Sequence, residues 1–292
     1  MKKVIITGAN GQDGVILSKL LIKKRYFVYQ FVKKKNILNK KNYFITLNKK
    51  FFRIKKKIDE VQPEAIIHLG SNNPSFNKEF LYKDYKTNLA FSKKLTDYII
   101  KKNHIKLILV SSSQIFKNNK KKITENSPTY KKDYYSKFRI ESTKYLLNKK
   151  KKFNLNATVL ILFNHDSKYR NSRFLLPRLI KAIKKKNVKF IKEIYHQNIS
   201  GDFSHAEDIC NGIYLLIKKN KNPDKLILSS NKRSYINRII RLLYKNIINI
   251  KSDKKIKSRN SLIGDNRKAK KIIGWKLKKN IIHAAKEIYN RP

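Results

Sequence analysis

The chain has 292 residues, enough to bury a substantial core and to form one large α/β domain, alone or with a smaller lobe. It contains 71 lysines and arginines but only 19 aspartates and glutamates, which gives a formal net charge of +52. The lysines occur in short scattered runs, which favours solvated faces over a nucleic-acid surface, although the charge favours anionic ligands. The single cysteine, Cys210, excludes an internal disulfide and fits a reducing compartment.

The hydropathy of the chain argues against a membrane protein. No run approaches the roughly 20 apolar residues that a membrane span needs. The apolar stretch at the N-terminus is interrupted by polar residues and glycines before the core of a signal peptide forms. We therefore expect a soluble, cytoplasmic protein with no membrane and no nucleic-acid partner.

Three glycines separate the first predicted strand, VIIT at 4–7, from a predicted helix over 15–24. They are Gly8, Gly11 and Gly14, in the sequence TGANGQDG. Glycine at such a junction permits a tight turn and a close approach of the backbone, and the amides at the helix N-terminus then face a pyrophosphate. The pattern predicts a dinucleotide site.

The second predicted strand, 27–32, is followed by a run of lysines. An acidic residue at this point would accept the ribose hydroxyls of NAD, but the sequence has Lys33, Lys34 and Lys35. A lysine can instead meet the 2′-phosphate of NADP. Lys33 and Lys34 are therefore candidate cofactor contacts, with NADP slightly favoured and NAD left open.

Strands and helices continue to alternate through the first half of the chain. Further strands are predicted at 65–69, 107–112 and 158–163, with helices near 83–102 and 135–150. This alternation predicts an α/β fold with a parallel sheet covered on both faces. After residue 165 the pattern loosens into short strands and helices near 174–185, 206–218, 235–247 and 280–289, which predicts a smaller lobe.

Five segments, taken together, resemble the extended short-chain dehydrogenase/reductases that act on nucleotide sugars, and among them the GDP-mannose 4,6-dehydratases. The segments are TGANGQDG (7–14), VQPEAIIHLGSNNPSF (61–76), ILFNHDSKYRNSRFLLPRL (161–179), GDFSHAEDI (201–209) and LIGDNRKAKKIIGWK (262–276). The resemblance implies a Rossmann-type doubly wound parallel sheet, with a dinucleotide-binding domain over 1–165. Residues 166–292 would be mainly a C-terminal substrate lobe, with some segments returning to the first domain.

The resemblance also implies a reaction and its ligands. A tightly held NAD or NADP would take a hydride from C4 of a nucleotide-linked sugar, water would leave across C5 and C6, and the hydride would return at C6. A GDP-hexose is the favoured substrate, in the synthesis of surface polysaccharide precursors by a homodimer or homotetramer. The implied cofactor contacts beyond the glycines are Asn10, Gln12, Asp13, Leu69, Ser71, Lys137, Asn164 and His165. The implied substrate contacts are Asn164 and, around the diphosphate, Arg170, Arg173, Arg178 and Lys181.

The catalytic set that the resemblance implies is a hydroxyl residue, a glutamate and a tyrosine with a lysine four residues later. Ser112 falls on the hydroxyl position and Gln114 on the glutamate. An amide cannot take the C5 proton or expel the hydroxyl, so the dehydration is in question. A 4-keto-sugar reductase or an epimerase would lose less by this change.

The tyrosine and lysine of this set are displaced in the sequence. The residue four before Lys137 is Asp133, whereas Tyr134 stands three before it. We expect Tyr134 to be the displaced base, with Lys137 favouring its ionised form. The alternatives are another tyrosine, or a cofactor-binding protein with no turnover in which these tyrosines only pack.

Two further features bear on the substrate lobe. Asp202, His205 and Asp208 have the residue types of a metal cluster, but the family resemblance favours a role in hydrogen bonds that tie the lobes together, and no metal is expected. Gly201 stands where the family carries an arginine.

Overall fold

A seven-stranded parallel sheet forms the centre of the computed structural model, which describes residues 2–32, 51–117, 121–244 and 261–291, and the backbone of 43–46. The strands are β1 (Lys3–Thr7), β2 (Phe27–Val32), β3 (Tyr43–Thr46), β4 (Ala65–His68), β5 (Lys106–Ser112), β6 (Ala157–Leu162) and β10 (Lys225–Leu228). Their order is β10-β6-β5-β4-β1-β2-β3, and every neighbouring pair is parallel. The predicted α/β, Rossmann-type doubly wound fold is confirmed.

Helices cover both faces of this sheet. They are α1 (Gln12–Lys23), α2 (Phe51–Val61), α3 (Tyr82–Ile100), α4 (Tyr134–Phe153), α7 (Ala206–Lys218) and α9 (Arg267–Ile273). The strands supply both interfaces because successive side chains point to opposite faces. In β1, Val4 and Ile6 join the hydrophobic cluster beneath α1, α7 and α9, whereas Ile5 joins the cluster beneath α2, α3 and α4.

A second group of helices forms a lobe beside the sheet. It consists of α5 (Leu175–Lys184), α6 (Val188–His196), α8 (Ile236–Leu243) and α10 (Ile281–Tyr289). These helices bury a separate hydrophobic cluster that includes Leu179, Ile191, Ile239 and Ala284. Two short strand pairs lie between the lobe and the sheet: parallel β7 (Asn164–Asp166) with β9 (Phe203–His205), and antiparallel β8 (Ser200–Gly201) with β11 (Ser234–Tyr235). The domain boundary at residue 165 stays a prediction.

The structure adds elements that the hydropathy pattern did not predict. Helix α2 follows lysine-rich sequence, and only three of its residues, Ile54, Ile58 and Val61, are buried. Its narrow apolar stripe, spaced by four and three residues, is hidden among lysines. Over the ranges described, no helix is long and apolar enough to cross a membrane.

Candidate active site

A cleft of about 740 Å³ lies at the carboxyl edge of the sheet, facing the lobe. Its walls come from the glycine loop at Asp13, the end of β5 at Ser112, the first turn of α4 at Tyr135, and the lobe at Arg178. Ligands of open α/β sheets bind at this edge because the loops after parallel strands converge there. The cleft is therefore the candidate active site.

The glycine loop has the shape of a phosphate cradle. Gly8 has φ of +72°, and a Cβ there would come within 2.6 Å of the Gly70 Cα. A Cβ on Gly14 would come within 2.5 Å of the Ala9 Cα, so both glycines are required by close backbone packing. A Cβ on Gly11 would meet only the Gly8 carbonyl, at 3.3 Å. Gly11 caps the N-terminus of α1, where backbone amides can face a pyrophosphate.

Asp13 and His165 join this loop to strand β7, although 152 residues separate them. The His165 Nε2 lies 2.9 Å from an Asp13 carboxylate oxygen, and its Nδ1 lies 2.6 Å from the Phe163 carbonyl oxygen. Because both neighbours are acceptors, this arrangement favours a ring protonated on both nitrogens, an imidazolium. Burial opposes each charge, but the charge and hydrogen bond of Asp13 raise the pKa of His165, and those of His165 lower the pKa of Asp13.

The other predicted loop residues are also placed near the glycines. The Gln12 side chain donates to the His165 carbonyl at 3.3 Å and accepts from the Ser167 hydroxyl at 3.0 Å, so it too joins α1 to β7. Asn10 is exposed on the loop, and Asn164 lines the cleft. Lys33 and Lys34 lie outside the described residues.

The loop after β4 forms the adjoining wall of the cleft. Leu69 lines the cleft, and the Ser71 hydroxyl accepts a hydrogen bond from Arg139. Beneath it, the His68 ring lies 2.6 Å from the Thr7 hydroxyl, which ties β4 to β1. Burial and the nearby charge of Arg139 lower the pKa of His68 to about 3, so this imidazole is neutral and structural.

Ser112 and Gln114 stand at the end of β5, where a short 3₁₀ helix (Ser113–Ile115) begins. The Ser112 hydroxyl accepts from the Gln114 backbone amide at 3.2 Å, and both residues line the cleft. The Gln114 side-chain carbonyl accepts a hydrogen bond from the Lys132 ammonium. A cation therefore lies beside the amide that replaces the expected glutamate.

The structure places Tyr134 and Lys137 away from the cleft. Tyr134 is 45% exposed, and its ring packs 5.4 Å from that of Tyr82 on α3. The Lys137 ammonium lies 5.0 Å from the centre of the Tyr85 ring, also on α3. The structure therefore does not bring Tyr134 and Lys137, predicted as catalytic residues and Lys137 also as a cofactor contact, to the cleft. Successive helix residues point about 100° apart, and α4 turns a different tyrosine inward.

That tyrosine is Tyr135, which lines the cleft and is only 7% exposed. Four residues later, Arg139 lines the cleft as well, with its guanidinium carbon 5.2 Å from the centre of the Tyr135 ring. The Arg139 guanidinium donates to the Val110 carbonyl and to the Ser71 hydroxyl, each at 2.5 Å. The tyrosine and the cation thus keep the expected four-residue spacing, in YSKFR, with arginine in place of lysine. This signal was present in the sequence and was missed because only lysine was considered.

Three of the four predicted diphosphate contacts line the cleft. Arg170 pairs with Asp166 at 3.1 Å, and Arg178 lies 3.4 Å above the centre of the Phe76 ring. Arg173 is exposed at the cleft wall. Lys181 lies one turn of α5 further on, is exposed, and does not line the cleft. Its predicted contact with the diphosphate stays a prediction.

The three residues that resemble a metal cluster each have separate protein partners. Asp202 accepts from the backbone amides of Ser230 and Gly264, and Asp208 accepts from those of Lys278 and Lys279. His205 pairs with Glu287 on α10 at 3.2 Å. Within the described ranges, no three metal-ligating side chains come together. Asp202, His205 and Asp208 tie separate segments of the chain to one another.

Gly201 has a packing role of its own. A Cβ on this residue would lie 1.7 Å from the Ser261 hydroxyl, so the present arrangement leaves no room for the arginine that the family carries.

The parallel sheet, the glycine loop and the cleft at the carboxyl edge are the architecture of the dinucleotide-binding class of proteins. The sequence profile described as the NAD dependent epimerase/dehydratase family matches residues 4–228, and the chain belongs to this family.

Two curated relatives span most of the chain. GDP-mannose 4,6 dehydratase 1 of Arabidopsis thaliana is 22% identical over 311 residues, covering 95% of this chain and 86% of the relative. GDP-mannose 4,6 dehydratase of Homo sapiens is 24% identical over 251 residues, covering 77% and 67%.

Solved structures show the same fold at low identity. The dTDP-glucose 4,6-dehydratase of Bacillus anthracis, in complex with NAD, has a TM-score of 0.80 at 17% identity and covers 99% of this chain and 96% of its own. The UDP-glucuronic acid 4-epimerase of Bacillus cereus, in complex with NAD, has a TM-score of 0.78 at 16% identity and covers 99% and 95%. The predicted resemblance to the extended short-chain dehydrogenase/reductases is confirmed.

Proposed function

We propose that this protein binds NAD or NADP on the glycine loop and transfers a hydride at C4 of a nucleotide-linked hexose. One observation carries the proposal: Ser112, Tyr135 and Arg139 line a single cleft with Asp13, which follows the glycine turn in the first turn of α1. A hydroxyl donor, a phenol and a fixed cation are the groups that alcohol oxidation needs from the protein.

The fit of the cofactor rests on the glycine loop. Gly8 and Gly14 allow the backbone to fold tightly, and Gly11 leaves the space at the N-terminus of α1 that a side chain would fill. When bound, an oxidised nicotinamide supplies the acceptor for the C4 hydride. The hydrogen bond between Asp13 and His165 would hold the glycine loop and β7 in a fixed relative position beside the dinucleotide.

In the proposed reaction the chain handles a proton and holds the sugar. The Ser112 hydroxyl would hydrogen-bond the sugar O4, and the Tyr135 phenolate would take the O4 proton as the C4–H bond breaks and the C4 carbonyl forms. The Arg139 guanidinium carbon, 5.2 Å from the centre of the Tyr135 ring, places a positive charge beside this phenol. In the described residues, no carboxylate lies within ion-pair distance of Arg139, so its charge is available for this role.

Water elimination needs a carboxyl group, and each carboxylate that lines the cleft already has a hydrogen-bond or ion-pair partner in the protein. The cleft is lined by four acidic residues. Asp13 pairs with His165, and Asp166 pairs with Arg170. The remaining two also have partners: Asp133 caps α4 through the Ser136 amide, and Glu193 accepts from the Gln197 side chain.

Because these carboxylates have partners and Gln114 replaces the expected glutamate, the cleft favours a C4 epimerase or a 4-keto reductase over a 4,6-dehydratase. A GDP-hexose remains the favoured nucleotide sugar because the curated relatives are GDP-mannose 4,6-dehydratases. Arg173 and Arg178 would hold the diphosphate. We place the reaction in cytoplasmic synthesis of surface polysaccharide precursors, carried out by a homodimer or homotetramer.

A second candidate is a cofactor-binding protein with no turnover. The observation that favours it is that Gln114 and Arg139 both depart from the expected catalytic set. In that case the dinucleotide would bind while C4 remained unreacted.

The experiment that separates these possibilities uses purified protein and nucleotide sugars deuterated at C4. Mass spectrometry would identify any co-purifying dinucleotide and follow deuterium from the sugar to the cofactor. We expect deuterium transfer with little 4-keto-6-deoxy product. Robust formation of that product would establish a dehydratase, and a bound dinucleotide without deuterium transfer would establish the non-catalytic protein.

A further inference from the structure

Lys132 occupies a defined place in the cleft, beside the proposed C4 site. Its backbone is fixed because the Ser136 hydroxyl accepts from the backbone amides of both Lys132 and Asp133, at 3.0 Å each. Ser136 is fully buried, so this turn before α4 has a rigid support. From there the Lys132 ammonium reaches across to the Gln114 carbonyl, and Gln114 in turn contacts Ser112.

Among the residues that the structure describes, Lys132 is the cleft cation that has neither an acidic partner nor a role in the proposed function. Arg170 is neutralised by Asp166, and the proposed function assigns Arg173 and Arg178 to the diphosphate and Arg139 to the tyrosine. Within the described part of the chain, no carboxylate lies within ion-pair distance of Lys132. A cleft that binds a diphosphate sugar thus presents one further cation, held beside Gln114 at the end of β5.

The position of Lys132 indicates which part of the sugar carries the matching charge. Ser112 is the proposed contact to O4, and hydrogen bonds link it to the Gln114 backbone and the Gln114 side chain to Lys132. Groups on the carbons next to C4 would face these residues. C5 is one of these carbons, and the substituent of C5 that can be anionic in a hexose is the C6 carboxylate.

Gln114 supports the same assignment. A glutamate at this position would repel a C6 carboxylate and would pair with Lys132, whereas an amide can donate to a carboxylate through its NH₂ group. Two features therefore favour an anionic C6 group: Gln114 lacks the negative charge of a glutamate, and Lys132 supplies a positive charge beside it.

We propose that Lys132 and Gln114 form a subsite for the C6 carboxylate, so that the preferred substrate is a nucleotide-linked hexuronic acid. This inference rests on the proposed function, because it takes the O4 contact from it. Lys132 is a specificity-determining residue and takes no part in the hydride or proton transfer.

The test compares sugars that differ only at C6: UDP-glucuronic acid with UDP-glucose, and GDP-mannuronic acid with GDP-mannose. Affinity would be measured by calorimetry on the protein loaded with NAD or NADP, and C4 reaction by deuterium transfer. We expect the uronic acid of at least one pair to be favoured by about five- to tenfold, as for a charge-assisted hydrogen bond at a partly solvated site.

Lys132→Met keeps the approximate length of the side chain and removes the charge, so it should abolish the preference for the uronic acid over the neutral sugar. The matched control is Lys131→Met, because Lys131 pairs with Glu141 and does not line the cleft. This control should keep the full preference. Gln114→Glu should also lower the preference, since the new carboxylate would neutralise Lys132.

The outcomes separate this inference from the proposed function. Equal use of both sugars in each pair, or a preference that survives Lys132→Met, would overturn the C6 carboxylate subsite alone. Failure of all four nucleotide sugars to bind would overturn the proposed function, and this inference with it.

Discussion

The guanidinium carbon of Arg139 lies 5.2 Å from the centre of the Tyr135 ring, one helical turn away on α4. Both residues are buried at the cleft wall, whereas their neighbours Tyr134 and Lys137 pack toward α3. The pair keeps the geometry of a phenol beside a fixed cation, with arginine as the cation.

The exchange of Tyr135 for phenylalanine should remove C4 hydride transfer. We expect a loss of about 10²- to 10⁴-fold in rate, because only the group that takes the O4 proton is lost. Dinucleotide binding should change little. The matched control is Tyr134→Phe, about 100° around the same helix and packed against Tyr82, which should leave the rate nearly unchanged. A larger loss in Tyr134→Phe than in Tyr135→Phe would contradict the assignment.

Two substitutions of Arg139 should distinguish the effect of its charge on activity from the effect of its hydrogen bonds on stability. Arg139→Met should abolish activity and lower the free energy of unfolding by about 2–4 kcal/mol, because the Val110 carbonyl and the Ser71 hydroxyl lose a buried donor. Arg139→Lys keeps the charge and should retain part of the activity. Denaturant unfolding and deuterium transfer, measured on both variants, check these expectations. Equal activity in the methionine and lysine variants would show that the charge has no role.

Substitution of the glycines should distinguish folding from cofactor binding. Gly11→Val should fold with near-normal stability and fail to bind the dinucleotide, since its side chain would fill the space at the N-terminus of α1. Gly14→Ala should instead destabilise the fold, because its Cβ would lie 2.5 Å from the Ala9 Cα. Thermal unfolding and dinucleotide titration of each variant give the two readouts. Unchanged affinity in a folded Gly11→Val protein would place the dinucleotide elsewhere.

The Asp13–His165 ion pair should make stability depend on pH. The pKa of His165 is raised from its usual 6.5, so its contribution is complete below pH 6.5 and is lost as the pH rises through the higher folded value. The pKa of Asp13 is lowered from its usual 3.8, so its contribution is complete above pH 3.8 and is lost as the pH falls through the lower folded value. The pair should therefore stabilise the protein most between these two limits.

The comparison that tests this uses His165→Gln, which keeps a polar side chain but cannot titrate. The difference in unfolding free energy between the wild type and this variant should be largest near pH 5 and should shrink as the pH rises above 6.5. Urea unfolding from pH 4 to pH 9 measures it. A difference that stays constant across this range would show that His165 is not charged in the folded protein.

The local sequence determined the architecture and the cofactor loop of this protein. Runs of buried β-branched residues such as VIIT favour a strand covered on both faces, and Gly8, Gly11 and Gly14 between a strand and a helix indicate a dinucleotide loop. Such features depend on period and composition, which can be read along the chain. The amphipathic helix α2 was missed because its apolar stripe is only three residues long.

Only the tertiary structure decided which side chains enter the cleft. Tyr135 and Phe138 pack with Phe80 in one cluster, and this packing fixes the rotation of α4 that turns Tyr135 and Arg139 inward and Tyr134 outward. A one-residue change in helix phase moves a side chain by about 100°, a difference that the spacing of tyrosines and lysines alone could not resolve. The pairing of Asp13 with His165 joins residues far apart in the chain, so it depends on how the sheet brings β7 beside the glycine loop.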